Sequence, residues 1–502
     1  MPLPPATPPL TRAESSGYSE TSRHADVMRF IAELAAEGDA RLHVGDFGAS
    51  PEGRALPLLV LSSQGHFTPE AAHACGLPVV LVINGIHAGE IEGKEGCLML
   101  VRDILRGAHG NLLDNLVLVV VPLFNPDGND RIDPDNRKLE LDKFSGQLGP
   151  ASGVGTRVNA AGINLNRDYM QQQAEEMRLL QTRVAQPWNA HLTIDCHSTN
   201  GSIHRFAMTY DIPHVVESGR REPIDYMRER LLPVVGAKVR ESEGMDSFYY
   251  GNFLRDEGGQ GLGWITYTHH PRFGGNYRGL TNRMDLLLES YSYIPYDERV
   301  RATYAFLRES LHYVAGHGSE IVALLASCEM PPEFVAVRYR LESFPDREVD
   351  VLTREPYTLD GAPITVRVPW IGRFTSDHTV PRPLAYAVAP AVAALLTGHG
   401  LAVETPTSAL QLDAEVATVR ARVSSAGRQI LEANASEYLE ADYRRGRQTL
   451  PDGWSLVRTE QPRGAIAVYL CEAESDDGLL AAGLASAEPG APFPAWRVHA
   501  VE

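Results

Sequence analysis

A histidine and a glutamate follow the apolar run Val79–Asn84, with two residues between them. His87 and Glu90 offer an imidazole nitrogen and a carboxylate oxygen, which Zn²⁺ accepts in tetrahedral geometry. In open α/β sheets, ligands bind beyond the carboxyl ends of the strands, so side chains just past a strand end are well placed for a site. The pair therefore predicts two ligands of one metal, although a His-x-x-Glu spacing by itself also arises by chance.

Two later strand-like runs end in residues that a hydrolytic zinc site needs. His197 closes the run that begins at Leu192, and Glu289 closes the run that begins at Met284. Catalytic zinc sites have three protein ligands and leave one position for water. With His197 as the third ligand, the predicted site has this number of protein ligands. A carboxylate beside that water can take its proton and return it to a leaving amine, which suits Glu289.

A loop between these elements carries two arginines and an asparagine, Arg157, Asn166 and Arg167. A guanidinium binds a carboxylate through two parallel hydrogen bonds, and an amide can add another. Burying an unpaired arginine for structure alone would be costly. The loop therefore predicts a site for a substrate carboxylate.

Taken together, the motifs resemble those of zinc carboxypeptidases over roughly residues 20–315. The shared elements are His87-x-x-Glu90, the turn Asn125-Pro126-Asp127-Gly128, the loop Gly-x-x-Leu-Asn166-Arg167, His197 and Glu289, in that order. The resemblance implies one Zn²⁺ per chain, bound by His87, Glu90 and His197. It also implies that Glu289 is the general base, that Asn166 and Arg167 hold the substrate's terminal carboxylate, and that Arg157 polarises the scissile carbonyl.

Some of these roles have competitors in the sequence. Glu92 and Glu95 could replace Glu289, but they follow Glu90 into a predicted helix, where we expect them to face solvent. Arg131 and Arg137 follow the Asn-Pro-Asp-Gly turn and compete with Arg157, which is preferred because it stands nine residues before Asn166, as in shorter-looped members of the family. The family's substrate-covering tyrosine is assigned to Tyr277, which has glycine neighbours; the alternatives are Tyr249, Tyr250 and Tyr267.

One residue departs from the family's pattern. Asn164 stands where the family usually has an aspartate that accepts a hydrogen bond from the first histidine ligand. Such a partner fixes the tautomer of the histidine and raises its basicity. An amide oxygen can accept the bond without adding charge, so we expect an intact site with weaker metal binding.

The elements that must position these residues alternate between apolar strands and helices up to about residue 315. Strands are predicted at 56–61, 79–83, 116–123, 192–196 and 285–288, and helices at 24–37, 93–106, 170–184, 224–239 and 297–314. Near-continuous Val/Ile/Leu strands belong to sheets covered on both faces. The predicted fold is α/β, a mixed and largely parallel central sheet covered by helices, followed by a smaller β-rich C-terminal region with strands at 334–339 and 364–368 and one helix at 387–396.

We predict an extended arm over residues 1–20, a catalytic domain over 21–325 and a β-rich accessory domain of unknown role over 326–502. The net charge of −18 and the lack of a basic block argue against nucleic acid or an anionic membrane as partners. Five scattered cysteines, no secretory signal and no apolar run of about 20 residues predict a cytoplasmic protein.

The sequence thus predicts a metallocarboxypeptidase that acts on a peptide or small amide with a free carboxylate. One rival is a deacylase or amidase of the same superfamily, acting on N-acyl amino acids or cell-wall peptides. Another is an inactive binding module on a peptidase fold. The side chain of the released residue and the oligomeric state stay open.

Overall fold

The computed structural model describes residues 8–255, 261–426 and 435–501. Its strands, in chain order, are β1 (Leu42–Ala49), β2 (Ala55–Leu61), β3 (Val79–Asn84), β4 (Val117–Val121), β5 (Leu192–Thr199), β6 (Met208–Asp211), β7 (Ser247–Tyr249), β8 (Asn252–Arg255), β9 (Gly261–Ile265), β10 (Met284–Tyr291), β11 (Phe334–Glu355), β12 (Ala362–Pro381), β13 (Ala385–Val388), β14 (Gln411–Ser424), β15 (Glu437–Thr449), β16 (Ser455–Arg458) and β17 (Pro492–Val501).

The α-helices are α1 (Arg12–Ser15), α2 (His24–Ala36), α3 (Pro69–Ala74), α4 (Glu92–Leu105), α5 (Pro126–Asp130), α6 (Glu175–Leu179), α7 (Gln186–Trp188), α8 (Glu222–Tyr226), α9 (Leu232–Glu243), α10 (Gly274–Leu280), α11 (Tyr296–Ser327), α12 (Pro390–Gly398) and α13 (Gly464–Cys471). Single π-helical stretches, Leu180–Ala185 and Met227–Leu231, join α6 to α7 and α8 to α9.

The central sheet has eight strands in the order β1-β2-β4-β3-β5-β10-β6-β7. Its middle strands, β4, β3, β5 and β10, run parallel, whereas β1 with β2, β2 with β4 and β10 with β6 pair antiparallel. Strands β3, β4 and β5 are buried along their whole length. The predicted mixed α/β fold is confirmed, and the parallel centre brings the carboxyl ends of β3, β5 and β10 to one edge.

Helix α4 covers this sheet and starts directly behind the predicted metal ligands. It packs against α11 and is buried along nearly all of its length. Gly93 permits the close approach, because a Cβ there would lie 2.6 Å from the Cβ of Cys196 and 2.8 Å from Oδ1 of Asn84. The helix therefore sits firmly on β3 and β5, which fixes the turn that precedes it.

The C-terminal part of the chain is rich in β-structure, as predicted. The long hairpin of β11 and β12 joins β9 and β8 in one sheet, and β15-β14-β17-β13-β16 form another. Strand β12 pairs with β9 through Trp370 and Trp264, so this region continues a sheet that starts before residue 325. The domain boundary near residue 325 stays a prediction.

Several element boundaries differ from the predicted ones. Helix α11 continues to Ser327, and the helix predicted from residue 170 begins only at Glu175. The helix predicted over 387–396 was wrong at its start, because residues 385–388 form β13 and Pro390 begins α12 at a position where its fixed φ is favourable.

At the N-terminus, α1 interrupts the predicted extended arm, of which residues 1–7 lie outside the described residues. Among the helices that the structure describes, none is both long and apolar enough to span a membrane.

Candidate metal centre and active site

His87, Glu90 and His197 converge at the carboxyl edge of the central sheet. Nδ1 of His87 lies 3.2 Å from Nδ1 of His197 and 3.2 Å from Oε2 of Glu90, and Nδ1 of His197 lies 2.9 Å from the same oxygen. Tetrahedral ligands with bonds of about 2.0 Å to Zn²⁺ stand about 3.3 Å apart. The three donor atoms therefore already have the mutual spacing of a tetrahedral metal site, and all three residues are buried.

The turn between β3 and α4 holds two of these ligands in place. The amide of Glu90 donates to the carbonyl of His87 at 2.9 Å, which brings both side chains to one side. Between them stands Gly89, where a Cβ would lie 2.7 Å from the carbonyl oxygen of Gly155 and 2.7 Å from Cδ of Arg137. The small residue lets the loop around Gly155 close over the turn.

Each histidine has an oxygen partner on its other ring nitrogen. Nε2 of His87 lies 3.0 Å from Oδ1 of Asn164, as the loop sequence predicts, and Nε2 of His197 lies 3.2 Å from Oδ1 of Asp195. Such partners orient the ring and leave Nδ1 free for a metal. Asp195 was missed from the sequence, although it stands two residues before His197 and therefore on the same face of β5.

The electrostatic surroundings suit a cation between these groups. Burial lowers the pKa of His87 to about 4, so its imidazole is neutral and can act as a ligand at neutral pH. Burial opposes charge on His197 and Glu90 as well, but Asp195 and Glu90 raise the pKa of His197, and the two histidines hold the pKa of Glu90 well below its ordinary value. A bound metal would displace the proton that His197 shares with Glu90.

Glu289 lies beside this cluster on the neighbouring strand. It is opposite His197 in the parallel register of β10 and β5, and it lines the same cavity. Burial, reinforced by the negative charge of Glu90, raises the pKa of Glu289 to about 8. A carboxylate whose pKa lies near neutrality can both accept and return a proton.

Two arginines contact Glu90 within the same cavity. Nη1 of Arg137 and Nη1 of Arg157 each lie 3.0 Å from Oε1 of Glu90. Arg137 is also held by Oε1 of Gln147 at 2.7 Å, and its side chain is 16% exposed, against 43% for Arg157. The less restrained Arg157 is therefore better able to turn toward a substrate. Arg131 instead pairs with Glu52 at 2.6 Å and does not line the cavity.

Asn166 and Arg167 line the same cavity. The Asn166 side chain is fixed, because its Oδ1 accepts a hydrogen bond of 2.9 Å from the amide of Gly274. The guanidinium of Arg167 lies 3.5 Å above the ring of Phe273 and has no ion-pair partner among the described residues. Burial lowers the pKa of Arg167 to about 10, and Arg157 lowers it further. Arg167 is thus a charged donor whose counter-ion has to come from outside the described chain.

The structure does not bring Tyr277 into the cavity. It lies in α10, 3% exposed, and its hydroxyl forms a 2.8 Å hydrogen bond with Nδ1 of His399 from the C-terminal region. The prediction that Tyr277 covers the substrate is corrected on this ground. Of the alternatives, Tyr250 and Tyr267 line the cavity, whereas Tyr249 does not.

Glu92 and Glu95 do not compete with Glu289. Both are buried, contrary to the solvent-facing positions expected from the sequence. Glu92 accepts hydrogen bonds from Arg299 and from Oγ of Ser198, and Glu95 accepts a 2.6 Å bond from the amide of Ser22. Their oxygens are used in packing α4 against its neighbours.

The cavity formed by these groups has a volume of about 270 Å³. Its wall combines a potential metal site, a carboxylate with a raised pKa and three guanidinium groups. Such a wall can activate water, stabilise a developing negative charge and hold an anion. A second potential metal-binding group among the described residues, His269, His270 and Asp476, lies outside this cavity.

A comparison with protein families finds the zinc carboxypeptidase model over residues 27–200. The resemblance seen in the motifs is confirmed there. The range matched to the zinc carboxypeptidases contains His87, Glu90 and His197, together with Arg157, Asn166 and Arg167. Glu289 lies beyond it. A comparison with curated proteins finds no match.

Solved structures similar to this chain include three carboxypeptidases. A metallo-carboxypeptidase from Burkholderia cenocepacia shares 18% identity over 58% of this chain and 69% of its own, with a TM-score of 0.39. A metallo-carboxypeptidase from Pseudomonas aeruginosa in complex with (2-guanidinoethylmercapto)succinic acid shares 18% identity over 59% of this chain and 69% of its own, with a TM-score of 0.39. Carboxypeptidase A from Helicoverpa armigera shares 14% identity over 62% of this chain and 75% of its own, with a TM-score of 0.38.

Proposed function

We propose that this chain is a zinc-dependent hydrolase that removes C-terminal residues from peptides. The observation that carries the proposal is the triangle of His87, Glu90 and His197 donor atoms, 2.9–3.2 Å apart. In the same cavity lie a carboxylate and an arginine that has no ion-pair partner among the described residues. The donor set fits Zn²⁺, because two imidazoles and one carboxylate are a known catalytic combination and each imidazole has an oxygen partner on its other nitrogen.

Arg167 and Asn166 select the substrate in this proposal. The buried guanidinium can form paired hydrogen bonds with a terminal carboxylate, and the Asn166 amide can add a further donor. Since Arg167 has no counter-ion among the described residues, a substrate carboxylate would supply the missing charge. An amidated C-terminus would leave the arginine unpaired and would bind less well.

Zn²⁺ held by the three ligands would make a bound water acidic enough to attack near neutral pH, where unassisted water is inert. Glu289, which lines the same cavity, takes the proton of the attacking water and returns it to the leaving nitrogen. Arg157 donates to the carbonyl oxygen as negative charge develops there, a contribution that removes a few kcal/mol from such barriers. Arg137 and Asn164 hold Glu90 and His87 in position.

Residues of the C-terminal region pair with the segment that precedes α10. His269 pairs with Asp476 at 2.7 Å, and Arg272 pairs with Asp477 at 2.9 Å, so the tail fixes the segment that precedes α10. We propose that residues 21–325 carry out catalysis and that residues 326–502 form the accessory region that braces this wall.

A mixed peptide library tests the function. The zinc-loaded protein should shorten peptides by single C-terminal residues, with products identified by mass, and the Glu289→Gln variant should bind zinc but lose turnover by at least about a hundredfold. Intact peptides alongside cleaved N-acyl amino acids would favour the deacylase. Failure to bind one zinc per chain would favour a binding module.

A further inference from the structure

A second cavity opens directly beside the candidate active site. This side pocket has a volume of about 420 Å³ and shares Arg167, Tyr250, Tyr267 and Phe273 with the active-site cavity. A carboxylate bound by Arg167 therefore sits on the boundary between the two spaces. The side chain attached to the same α-carbon would enter the side pocket, so its lining bears on which residue is released.

The lining of the side pocket is cationic. Three arginines, Arg167, Arg255 and Arg272, line it, and no aspartate or glutamate is among the described residues that do so. Arg272 is paired with Asp477, which holds it in place, whereas Arg255 lies 3.5 Å above the ring of Tyr357 and has no ion-pair partner among the described residues. Arg272 is also close enough to Arg167 to lower its pKa. A cationic group would be repelled here.

The pocket also contains a buried ring nitrogen that lacks a hydrogen-bond partner among the described residues. His270 is 3% exposed, its Nδ1 lies 2.5 Å from the hydroxyl of Thr268, and its Nε2 has no hydrogen-bond partner among the described residues. In the tautomer in which the Thr268 hydroxyl donates to Nδ1, the ring proton is on Nε2. A buried N–H without an acceptor is costly, and an oxygen of a ligand would satisfy it.

We infer that the side pocket binds a second carboxylate, and that the residue released by this hydrolase is acidic, of the aspartate or glutamate type. The inference rests on the proposed function and adds the substrate class to it. Arg167 binds the terminal carboxylate, while Arg255, Arg272 and the Nε2 of His270 surround the side-chain carboxylate. The volume of the pocket admits such a side chain with its water.

Two substrates that differ only in charge test the inference. Peptides identical except for a C-terminal glutamate or glutamine are compared by kcat/KM. Glutamate should be preferred by about tenfold or more, because the amide has one acceptor oxygen and no charge, whereas a carboxylate forms two charge-assisted hydrogen bonds with a guanidinium group. Equal values, or a preference for glutamine or lysine, would overturn the inference.

Substitutions at Arg255 separate the effect of its charge on the glutamate-to-glutamine preference from an effect on the structure. Arg255→Gln should bring the glutamate-to-glutamine ratio close to one, while Arg255→Lys should retain most of it. Arg367→Gln, which removes a cation that pairs with Glu348 outside the side pocket, is the matched control and should leave the ratio unchanged. If the glutamate-to-glutamine ratio is unchanged in both Arg255→Gln and His270→Asn, the preference arises outside the side pocket and the inference is overturned.

A binding measurement keeps this test apart from that of the proposed function. Calorimetric titration of the zinc-loaded protein with free L-glutamate and L-glutamine requires no turnover. Tighter binding of glutamate that is lost in Arg255→Gln would support the side pocket even if no peptide is cleaved. Equal binding of the two amino acids would refute it even if peptides are cleaved.

Discussion

Replacing Asn164 with aspartate should tighten zinc binding. Oδ1 of Asn164 lies 3.0 Å from Nε2 of His87, and the backbone amide of Asn166 donates to the same oxygen at 3.1 Å. An aspartate of the same shape would keep both bonds and add a negative charge. Adding the hydrogen bond, the imidazole ring and a Zn–N bond of about 2 Å places this charge roughly 6–7 Å from the metal.

The size of the effect follows from that distance. A unit charge and a divalent ion at this separation attract by about 1.3 kcal/mol in a medium as polar as water, which is close to tenfold in affinity. Less screening would increase the gain, and the cost of burying the new carboxylate would reduce it. Changes at such partners of histidine ligands typically alter metal affinity by about 10–100-fold.

Competition with a chromophoric chelator measures the zinc Kd of the wild type and of Asn164→Asp. Asn111→Asp is the control, because it adds the same charge at an exposed position away from the site. We expect a Kd lower by about tenfold for Asn164→Asp and an unchanged Kd for Asn111→Asp. An unchanged or higher Kd for Asn164→Asp would refute the role given to the His87–Asn164 hydrogen bond.

Other consequences can be checked separately. Asp195→Asn removes the charge beside His197 and should raise the zinc Kd by about 10-fold or more in the same chelator assay, whereas an unchanged Kd would show that Asp195 has only a packing role. Arg167→Ala should abolish the discrimination between free and amidated C-termini in matched peptides, and retained discrimination would assign the terminal carboxylate to another residue. In the chelator-treated protein, the pKa of Glu289 is raised from 4.5 to about 8, so the folded state holds this proton more tightly than the unfolded state does. Stability should therefore fall as pH rises through that window, by about 1.4 kcal/mol per pH unit at most. Melting curves at several pH values should show this loss of stability in the wild type and a shallower loss in Glu289→Gln. The same pH dependence in both proteins would contradict the raised pKa of Glu289.

Strand ends and ligand spacing made the metal residues predictable. His87 and Glu90 follow a strand that is buried throughout, and His197 and Glu289 lie two residues before the ends of strands that pair in parallel, so the sheet itself brings them together. The Asn164 contact with His87 also followed from the loop motif.

Contacts made by the C-terminal region were not visible in the sequence. Tyr277 has glycine neighbours that suggest a mobile loop, but it lies in a helix and bonds to His399, more than a hundred residues later in the chain. The burial of Glu92 and Glu95 likewise depends on Arg299 and Ser22, which belong to distant elements. Periodicity along one helix cannot reveal such partners.

The most direct test of the account is an anomalous diffraction experiment at the zinc absorption edge on crystals of the zinc-loaded protein. The account predicts one peak bonded at about 2.0–2.2 Å to Nδ1 of His87, Nδ1 of His197 and the carboxylate of Glu90. No peak at this position, or a peak only at His269, His270 and Asp476, would contradict it.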